Sequence, residues 1–389
     1  MRVAMIDPSL FTLPYDHHLC SGLSESGHEV TLFTRPLRPE EPRIEHGYGW
    51  SERFYRLSEH PLASQLPGRA RLALKGLEHP VAMSALLRDL RRLGPDVIHF
   101  QWLPVPLVDR LFLSLLRRVA PTVLTVHDTV GFLNPSSRLQ LAGWAQLLSA
   151  LDGIVVHLEL SKRQLVDQGA PADRIEVIPH GVLSLQGVGD DEPIPAARPR
   201  GSEQRILLFG AIKAYKGPDI LLRAFSMLPA ELRKRARVAV VGEPFMPLDE
   251  LRGLARELDV DDRVDWDPRF VPDEELADVL RDADILAFPY RRIDASGVLM
   301  LVLPLGRPIV ATRVGCFEEL LVDGETARVV PSEDPGAFAE ALAELIEDPD
   351  RGEELARRAR AMALEQMSWE RIAERTTAFY RRVADRVRV

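Results

Sequence analysis

Short apolar runs rich in β-branched residues recur along the chain, separated by segments whose apolar residues return every three or four positions. Arg2–Ile6, Glu29–Phe33, Val97–Phe100, Thr122–Val126, Ile154–His157 and Arg174–Ile178 read as buried strands. Helical periodicity fills 16–26, 66–93, 104–119, 138–151 and 159–169. Residues 36–65 break the pattern with proline clusters and polar residues and read as irregular. Alternation this regular specifies a parallel, doubly wound sheet.

The pattern stops after Gly181. Residues 184–203 are rich in proline, glycine and charge without periodicity, as in an interdomain linker. A second α/β series follows, with strands at Ile206–Phe209, Val238–Val241, Arg263–Trp266, Ile285–Phe288, Pro308–Ala311 and Ala327–Val330. Helices over 217–228, 247–258, 272–282 and 334–347 separate most of them, and one beginning at Ala295-Ser296-Gly297 lies between Phe288 and Pro308. The last segment, Trp369–Val387, is an amphipathic helix with Ile372, Phe379, Tyr380 and Val383 on its apolar side. The expected architecture is α/β, with two Rossmann-like doubly wound parallel-sheet domains facing a cleft. They span 1–183 and 204–366, joined by 184–203 and followed by a terminal helix over 367–389.

Composition narrows the class. With 389 residues, 46% of them hydrophobic, the chain can fill two cores. A net charge of −9 offers no overall basic field for nucleic acid. Cys20 and Cys316 stand far apart and form neither a metal nor a redox motif, which suits a reducing cytoplasm. The opening MRVAMIDPSLF reads as a first strand and not a signal peptide. No apolar run is long enough to span a bilayer, so any membrane contact is expected to be peripheral. The basic residues of 66–93 suit either an anionic membrane surface or, as the favoured reading, a solvated helical face.

Candidate chemistry lies at strand ends. In Phe209–Gly217, FGAIKAYKG, Gly210 permits a tight turn and Lys213 and Lys216 precede a helix, a setting suited to phosphate. The alternative is a pair of solvated loop lysines. In Asp284–Gly315 a strand, the turn Ala295-Ser296-Gly297 and an apolar helix through Val298 can aim N–H groups at an anion, or form an ordinary buried unit. His127 follows a strand in TVHDT and either meets a substrate hydroxyl or serves as a capping or core histidine. His99 and His157 end strands and each reads as structural. His180 in VIPHG suits a hinge, a cleft wall or catalysis. Scattered histidines without short spacing do not make a metal site. The loop Asp7–Tyr15 closes the first strand without glycine, so it is no dinucleotide fingerprint. Beyond Tyr15, Asp16 either caps the first helix or contacts a sugar hydroxyl.

In order, the segments VIHFQW, TVHDT, DRIEVIPHG, FGAIKAYKG, VAVVGEP, DADILAFPY, ASGVLMLVLPLGRPIVAT and DGETARVVP resemble those of family 4 glycosyltransferases with the two-domain GT-B fold. The closing MSWERIAERTTAFY is similar to that family's terminal helix, which crosses back to the first domain. The resemblance implies transfer of a sugar from a nucleotide-sugar donor to an acceptor, usually with retention and without metal or other cofactor. It places the donor mainly on the second domain and the acceptor mainly on the first. By position it implies Lys216, with Lys213, on the donor diphosphate beyond Gly210. It implies Ser296, Gly297 and Val298 at the phosphate turn and His127 beside the transferred sugar. Arg269–Pro272, including Phe270, matches the segment that lines the nucleobase, and Tyr15, Asp16 and His180 fall on the acceptor side.

Three positions depart from the family. Ala211 stands where many members carry arginine. The first loop reads FTLPYDHH without the usual glycine pair. Two glutamates expected eight positions apart are Ile293 and Leu301, with Asp294 one residue from the first. The expected protein is therefore a retaining, metal-independent glycosyltransferase, with a glycan, lipid-linked or small-molecule acceptor. A non-catalytic nucleotide-sugar-binding relative and a sugar-nucleotide epimerase are the rival readings.

Overall fold

The computed structural model describes residues 1–38, 41, 43–129, 143–183, 185 and 202–388. Residues 1–181 with 368–389 form one compact unit, and 182–367 form the other.

The first unit holds seven parallel strands: β1 (Arg2–Asp7), β2 (Glu29–Thr34), β3 (Gly49–Glu52), β4 (Val97–Phe100), β5 (Thr122–Val126), β6 (Gly153–Val156) and β7 (Ile175–Val177), in the order β3-β2-β1-β4-β5-β6-β7. Val3 pairs with Val30 on one side and Val97 on the other, so β1 is central and its last five residues are buried. Helices α1 (Leu13–Glu25), α2 (Gly68–Leu93), α3 (Pro106–Leu116), α4 (Trp144–Ala150) and α5 (Glu159–Asp167) connect the strands. A strand buried on both faces must be apolar at every position, which is why these runs were legible as continuous and not alternating.

The second unit holds six parallel strands: β8 (Gln204–Phe209), β9 (Ala236–Val241), β10 (Val264–Asp267), β11 (Ile285–Phe288), β12 (Ile309–Thr312) and β13 (Arg328–Val330), in the order β10-β9-β8-β11-β12-β13. Its helices are α6 (Pro218–Met227), α7 (Ala230–Arg233), α8 (Asp249–Glu257), α9 (Asp273–Arg281), α10 (Gly297–Val302), α11 (Cys316–Leu320), α12 (Pro335–Glu347) and α13 (Pro349–Gln366). In both sheets the order reverses beside the first strand. The carboxyl ends of β1 and β4 in one unit, and of β8 and β11 in the other, therefore flank a topological switch point.

The final helix α14 (Trp369–Arg388) belongs to the first unit, although 182–367 separate it in sequence from the rest. Ile372, Phe379, Tyr380 and Val383 are all at most 2% exposed, as the amphipathic pattern requires. A Cβ on Gly22 would stand 2.9 Å from the Trp369 carbonyl oxygen, and one on Gly153 2.8 Å from the Phe379 ring. Both glycines are small so that α14 can dock.

Three details differ from the sequence expectations. The irregular stretch 36–65 contains β3, an edge strand whose GWSE has no fully buried residue and hence no apolar signature. Helix α1 begins at Leu13, not Asp16, because Pro14 sits in the first turn, where its missing N–H costs no hydrogen bond. The helix expected over 104–119 is α3, shorter at both ends, with Pro106 in its first turn. Of the helix expected over 138–151, residues 138–142 lie outside the described residues, as do 184 and 186–201 of the expected linker.

Candidate functional site

In the second unit three glycines bring strand ends into backbone contact. Gly210 leaves β8 at φ 96°, and Gly242 leaves β9 at φ 142° with its Cα against the Gly210 carbonyl. A Cβ on Gly242 would fall 2.2 Å from that oxygen. Gly217 (φ 66°) packs on Pro289, whose oxygen would be 2.0 Å from an added Cβ. These positive angles and close approaches exclude other residues.

The turn delivers Lys216 to the switch point. Its Nζ would lie 2.9 Å from a Cβ on Gly210, and Val298 Cγ2 would lie 3.2 Å from the same point, so Gly210, Lys216 and Val298 converge. Lys216 is only 6% exposed, with its Nζ 5.5 Å from the centre of the Tyr290 ring. Burial, and secondarily repulsion from Lys213, lower its pKa to about 8. Lys213 is half-buried, its Nζ 4.9 Å from the centre of the Phe245 ring. The Tyr290 hydroxyl is buried and makes no hydrogen bond to the described residues. Arg291 clamps the lysine loop: its guanidinium holds Asp219 at 2.9 and 2.7 Å and donates to the Ala214 carbonyl at 2.8 Å. Its own N–H donates to Tyr215 O at 2.7 Å.

The turn before α10 is pinned from below. Gly315 (φ 50°) lies so close to Ile293 that a Cβ would sit 1.7 Å from its oxygen, and Cys316 N–H donates to the Asp294 carbonyl at 3.0 Å. Ser296 caps α10, its hydroxyl oxygen accepting from Leu299 N–H at 3.2 Å. The helix has six residues, too few for much of a macrodipole, so what it offers an anion is the first-turn N–H groups. Gly297 is exposed, and an added Cβ there would meet nothing within 4 Å. Asp294 and Leu301 are half-buried. Beyond β10, Arg269 is held by Asp267 at 3.0 Å and Glu275 at 2.6 Å, while the Phe270 ring is 69% exposed. Asp267 O accepts from Gly242 N–H at 3.0 Å, which puts Arg269 and Phe270 on the same sheet edge as Gly210.

The first unit gathers aromatic and imidazole rings. Tyr15 is 3% exposed and touches His127, His157, His180 and Trp369, with ring centres 4.8, 5.2, 4.9 and 5.2 Å away. Trp102 stacks on His127 at 5.4 Å. His180 is half-buried, its Nδ1 2.6 Å from Gly181 O, and a Cβ on Gly181 would collide with the Trp369 ring at 2.5 Å. His99 is locked between the Tyr380 hydroxyl at 2.5 Å and Thr125 Oγ1 at 2.7 Å, which makes it structural.

His157 Nδ1 lies 3.0 Å from the Ile178 carbonyl, its Nε2 lies 3.2 Å from His127 Nδ1, and His127 Nε2 lies 2.9 Å from Gln101 Oε1. Burial lowers the His157 pKa to about 3 and that of His180 to about 4, and burial followed by the neighbouring imidazoles holds His127 well below its usual value. The rings are therefore neutral near pH 7. A carbonyl only accepts, so His157 Nδ1 carries its proton and Nε2 is bare. The Gln101 side-chain oxygen likewise only accepts, while its NH2 donates to Met5 Sδ, so His127 Nε2 carries its proton and the bare His127 Nδ1 faces the bare His157 Nε2. Gln101 thus selects the tautomer of His127.

Asp16 is fully buried beside Asp7. Thr12 Oγ1 lies 3.3 Å from one Asp16 oxygen, and Asp7 accepts from the N–H groups of Ser9 and Leu10 at 2.9 and 2.8 Å. With α1 starting earlier than expected, Asp16 is not its cap. Burial, then the charge of Asp7, pushes Asp16 well above the ordinary carboxylate range, and burial also raises Asp7. The pair shares a proton over a range where a lone carboxyl is ionised.

Residues missed in the sequence reading include Gln101, Trp102, Asp7, Tyr290 and Arg291. A histidine or glutamine at each strand's carboxyl end is the one signal that could have linked Gln101, His127 and His157.

Comparisons with known proteins agree with this architecture. Residues 15–182 match the family described as Glycosyltransferase Family 4, and residues 203–348 match Glycosyl transferases group 1. The chain is 31% identical to the D-inositol 3-phosphate glycosyltransferase of Thermobispora bispora over 94% of this chain and 88% of that one. It is also 31% identical to the enzyme of that name from a Nocardioides species, over 100% and 91% of the two chains. Among solved structures, sucrose-phosphate synthase of Thermosynechococcus elongatus superposes with a TM-score of 0.71 at 20% identity, covering 98% of this chain and 99% of that one. HepE of Anabaena, in complex with UDP, superposes at 0.70 with 16% identity, covering 97% and 99%; it was also solved with UDP-glucose. Two parallel-sheet units with this strand order, and relatives spanning almost the whole chain, place the protein among the family 4, group 1 glycosyltransferases, with the GT-B fold.

Proposed function

We propose that the protein transfers a sugar from a nucleotide-sugar donor to an acceptor hydroxyl, with retention and without a metal ion. The observation that carries this is Lys216: a buried ammonium converging with Gly210 and Val298 where the sheet order reverses. A buried charge lacking a carboxylate partner among the described residues is costly, and a diphosphate supplies the counter-charge. The N–H groups of Gly297 and Val298 add donors, and the Tyr290 hydroxyl, buried without a partner, gains a polar neighbour when the site fills. Phe270 offers an exposed ring to the nucleobase. As the bond from the sugar's anomeric carbon to the diphosphate oxygen breaks, charge grows on the oxygen that Lys216 holds. The acceptor oxygen bonds to the anomeric carbon from the same face, and its proton passes to the departing phosphate.

The first unit takes the acceptor, near Tyr15 and His180. His127 Nε2–H donates a hydrogen bond to a hydroxyl oxygen of the transferred sugar in place of Gln101 Oε1. The curated relatives make inositol 3-phosphate the first acceptor to test, and UDP-sugars are the first donors.

A thermal-shift panel of UDP-, GDP-, ADP- and TDP-sugars tests the donor reading, since a ligand at about 100 times its Kd stabilises by about 2.7 kcal/mol. One nucleotide should raise Tm in the parent and not in Lys216→Ala. Equal shifts in both would sink the assignment. Ile293 and Leu301, apolar where relatives carry glutamates, favour one rival, a nucleotide-sugar binder without turnover. Calorimetric heat from the donor with neither hydrolysis nor transfer would support that rival.

A further inference from the structure

We infer that the face of the first unit formed by residues 53–92 docks on an anionic lipid surface, with phospholipid phosphates entering a groove beside α2. This goes beyond the transfer reaction and does not depend on it.

The groove encloses about 390 Å³ and is walled by Arg53, Arg56, Arg88 and Arg92, with Leu57 and Val81 on its apolar sides. Between Arg53 and Arg92 the chain carries eight Arg and Lys against three Asp and Glu, in a protein whose net charge is −9. All three acids are occupied. Asp89 is paired with Arg53 at 2.5 Å, and Glu78 accepts from the N–H groups of Leu57 and Ser58 at 2.9 and 3.1 Å. Glu59 is held by Arg38 at 2.8 Å and Lys75 at 2.5 Å. No carboxylate among the described residues pairs with Arg56, Arg88 or Arg92, and all three are exposed. The positive field of the groove is therefore not neutralised from within.

The same stretch concentrates exposed apolar side chains. Of the fifteen large hydrophobic residues found exposed among the described residues, six fall here: Leu57, Leu62, Leu66, Leu72, Leu77 and Val81, between 43% and 74% exposed. Every residue from Gly68 to Ala73 is exposed, so among the described residues no element covers the first turns of α2. A soluble anion would need the arginines and not the leucines, and an apolar protein partner would need the leucines and not the arginines. Arginines around a groove whose wall includes the exposed Leu57 and Val81 match a bilayer interface, where head groups and acyl chains lie within a few ångströms of each other.

Flotation of the full chain with phosphatidylcholine vesicles, with and without about 30% phosphatidylglycerol, tests this. The expected result is capture by the anionic vesicles alone at about 0.1 M salt, falling several-fold at about 1 M. Arg56→Gln/Arg88→Gln/Arg92→Gln should weaken capture roughly tenfold. Leu72→Ser/Leu77→Ser, exposed positions that do not threaten folding, should weaken it at both salt concentrations. Equal recovery with both vesicle types, or a triple variant that floats like the parent, would overturn the inference. So would stabilisation by inorganic pyrophosphate, lost in the triple variant, without vesicle binding, which would mark a soluble-anion site.

Discussion

The carboxyl end of the second sheet and that of the first solve different problems. The second exposes backbone: Gly210, Gly217, Gly242 and Gly315 let chain segments touch, and one buried cation, Lys216, sits where they converge. The first is built from rings. It packs Tyr15, His127, His157, His180 and Trp369 ring to ring, and the imidazoles are held neutral by burial. A diphosphate carries full charge and is met by N–H groups and an ammonium; sugar hydroxyls carry none and are met by ring faces and neutral imidazoles. Charge density of the ligand thus dictates whether a site is built from backbone or from side chains.

The most forceful way to break this contrast is Lys216→Met. Transfer should fall by roughly a thousandfold, the loss of the main electrostatic contact of the leaving group. Yet the unliganded protein should melt higher, because a desolvated charge is gone. The pH signs follow. Donor affinity should drop as pH rises through about 8, where Lys216 loses its proton. The unfolded chain keeps that proton up to 10.5, so the penalty on the folded state is full below about 8. Stability should therefore rise with pH between these values in the parent, and this component should be absent in the variant.

A backbone-built site should fail through its glycines. Gly315→Ala, with Ile293 O 1.7 Å from the new Cβ, should cost about 3 kcal/mol or more in chemical denaturation. Gly297→Ala, two residues from the phosphate turn's start but in open space, should stay within about 0.5 kcal/mol.

A side-chain-built site should fail through orientation. Nitrogen NMR of the parent should show His127 as the Nε2–H tautomer. In Gln101→Leu it should convert to Nδ1–H, donating to His157 Nε2, with transfer reduced about ten- to a hundredfold. An Nδ1–H tautomer in the parent would contradict the hydrogen bond to Gln101.

An effect of the opposite sign is expected at Asp16→Asn. The raised pKa of Asp16 means that its favourable contribution is complete below the unfolded value of 3.8 and is lost as pH rises through the folded one. At neutral pH the amide should therefore stabilise, on the order of 1 kcal/mol for each pKa unit of strain relieved, with no gain at pH 3.

Legibility in the sequence tracks the same division. The lysine loop and the turn before α10 were visible because glycine and lysine beside an apolar run leave a local signature. Strand β3 was not, since a short edge strand needs no buried run. Asp16 was misplaced because proline in a first turn resembles proline before a helix. His157, whose partners are 21 and 30 residues away, carried no signature beyond ending a strand.

The sequence by itself determined the two parallel sheets, the family and the cationic turn, because apolar periodicity and glycine geometry act between near neighbours. Only the tertiary structure decided that Gly210, Lys216 and Val298 share one point, and that Gln101 sets the proton on His127. Those relations join strand ends and helices far apart in the chain. They depend on distances of about 3 Å that no spacing along a sequence encodes.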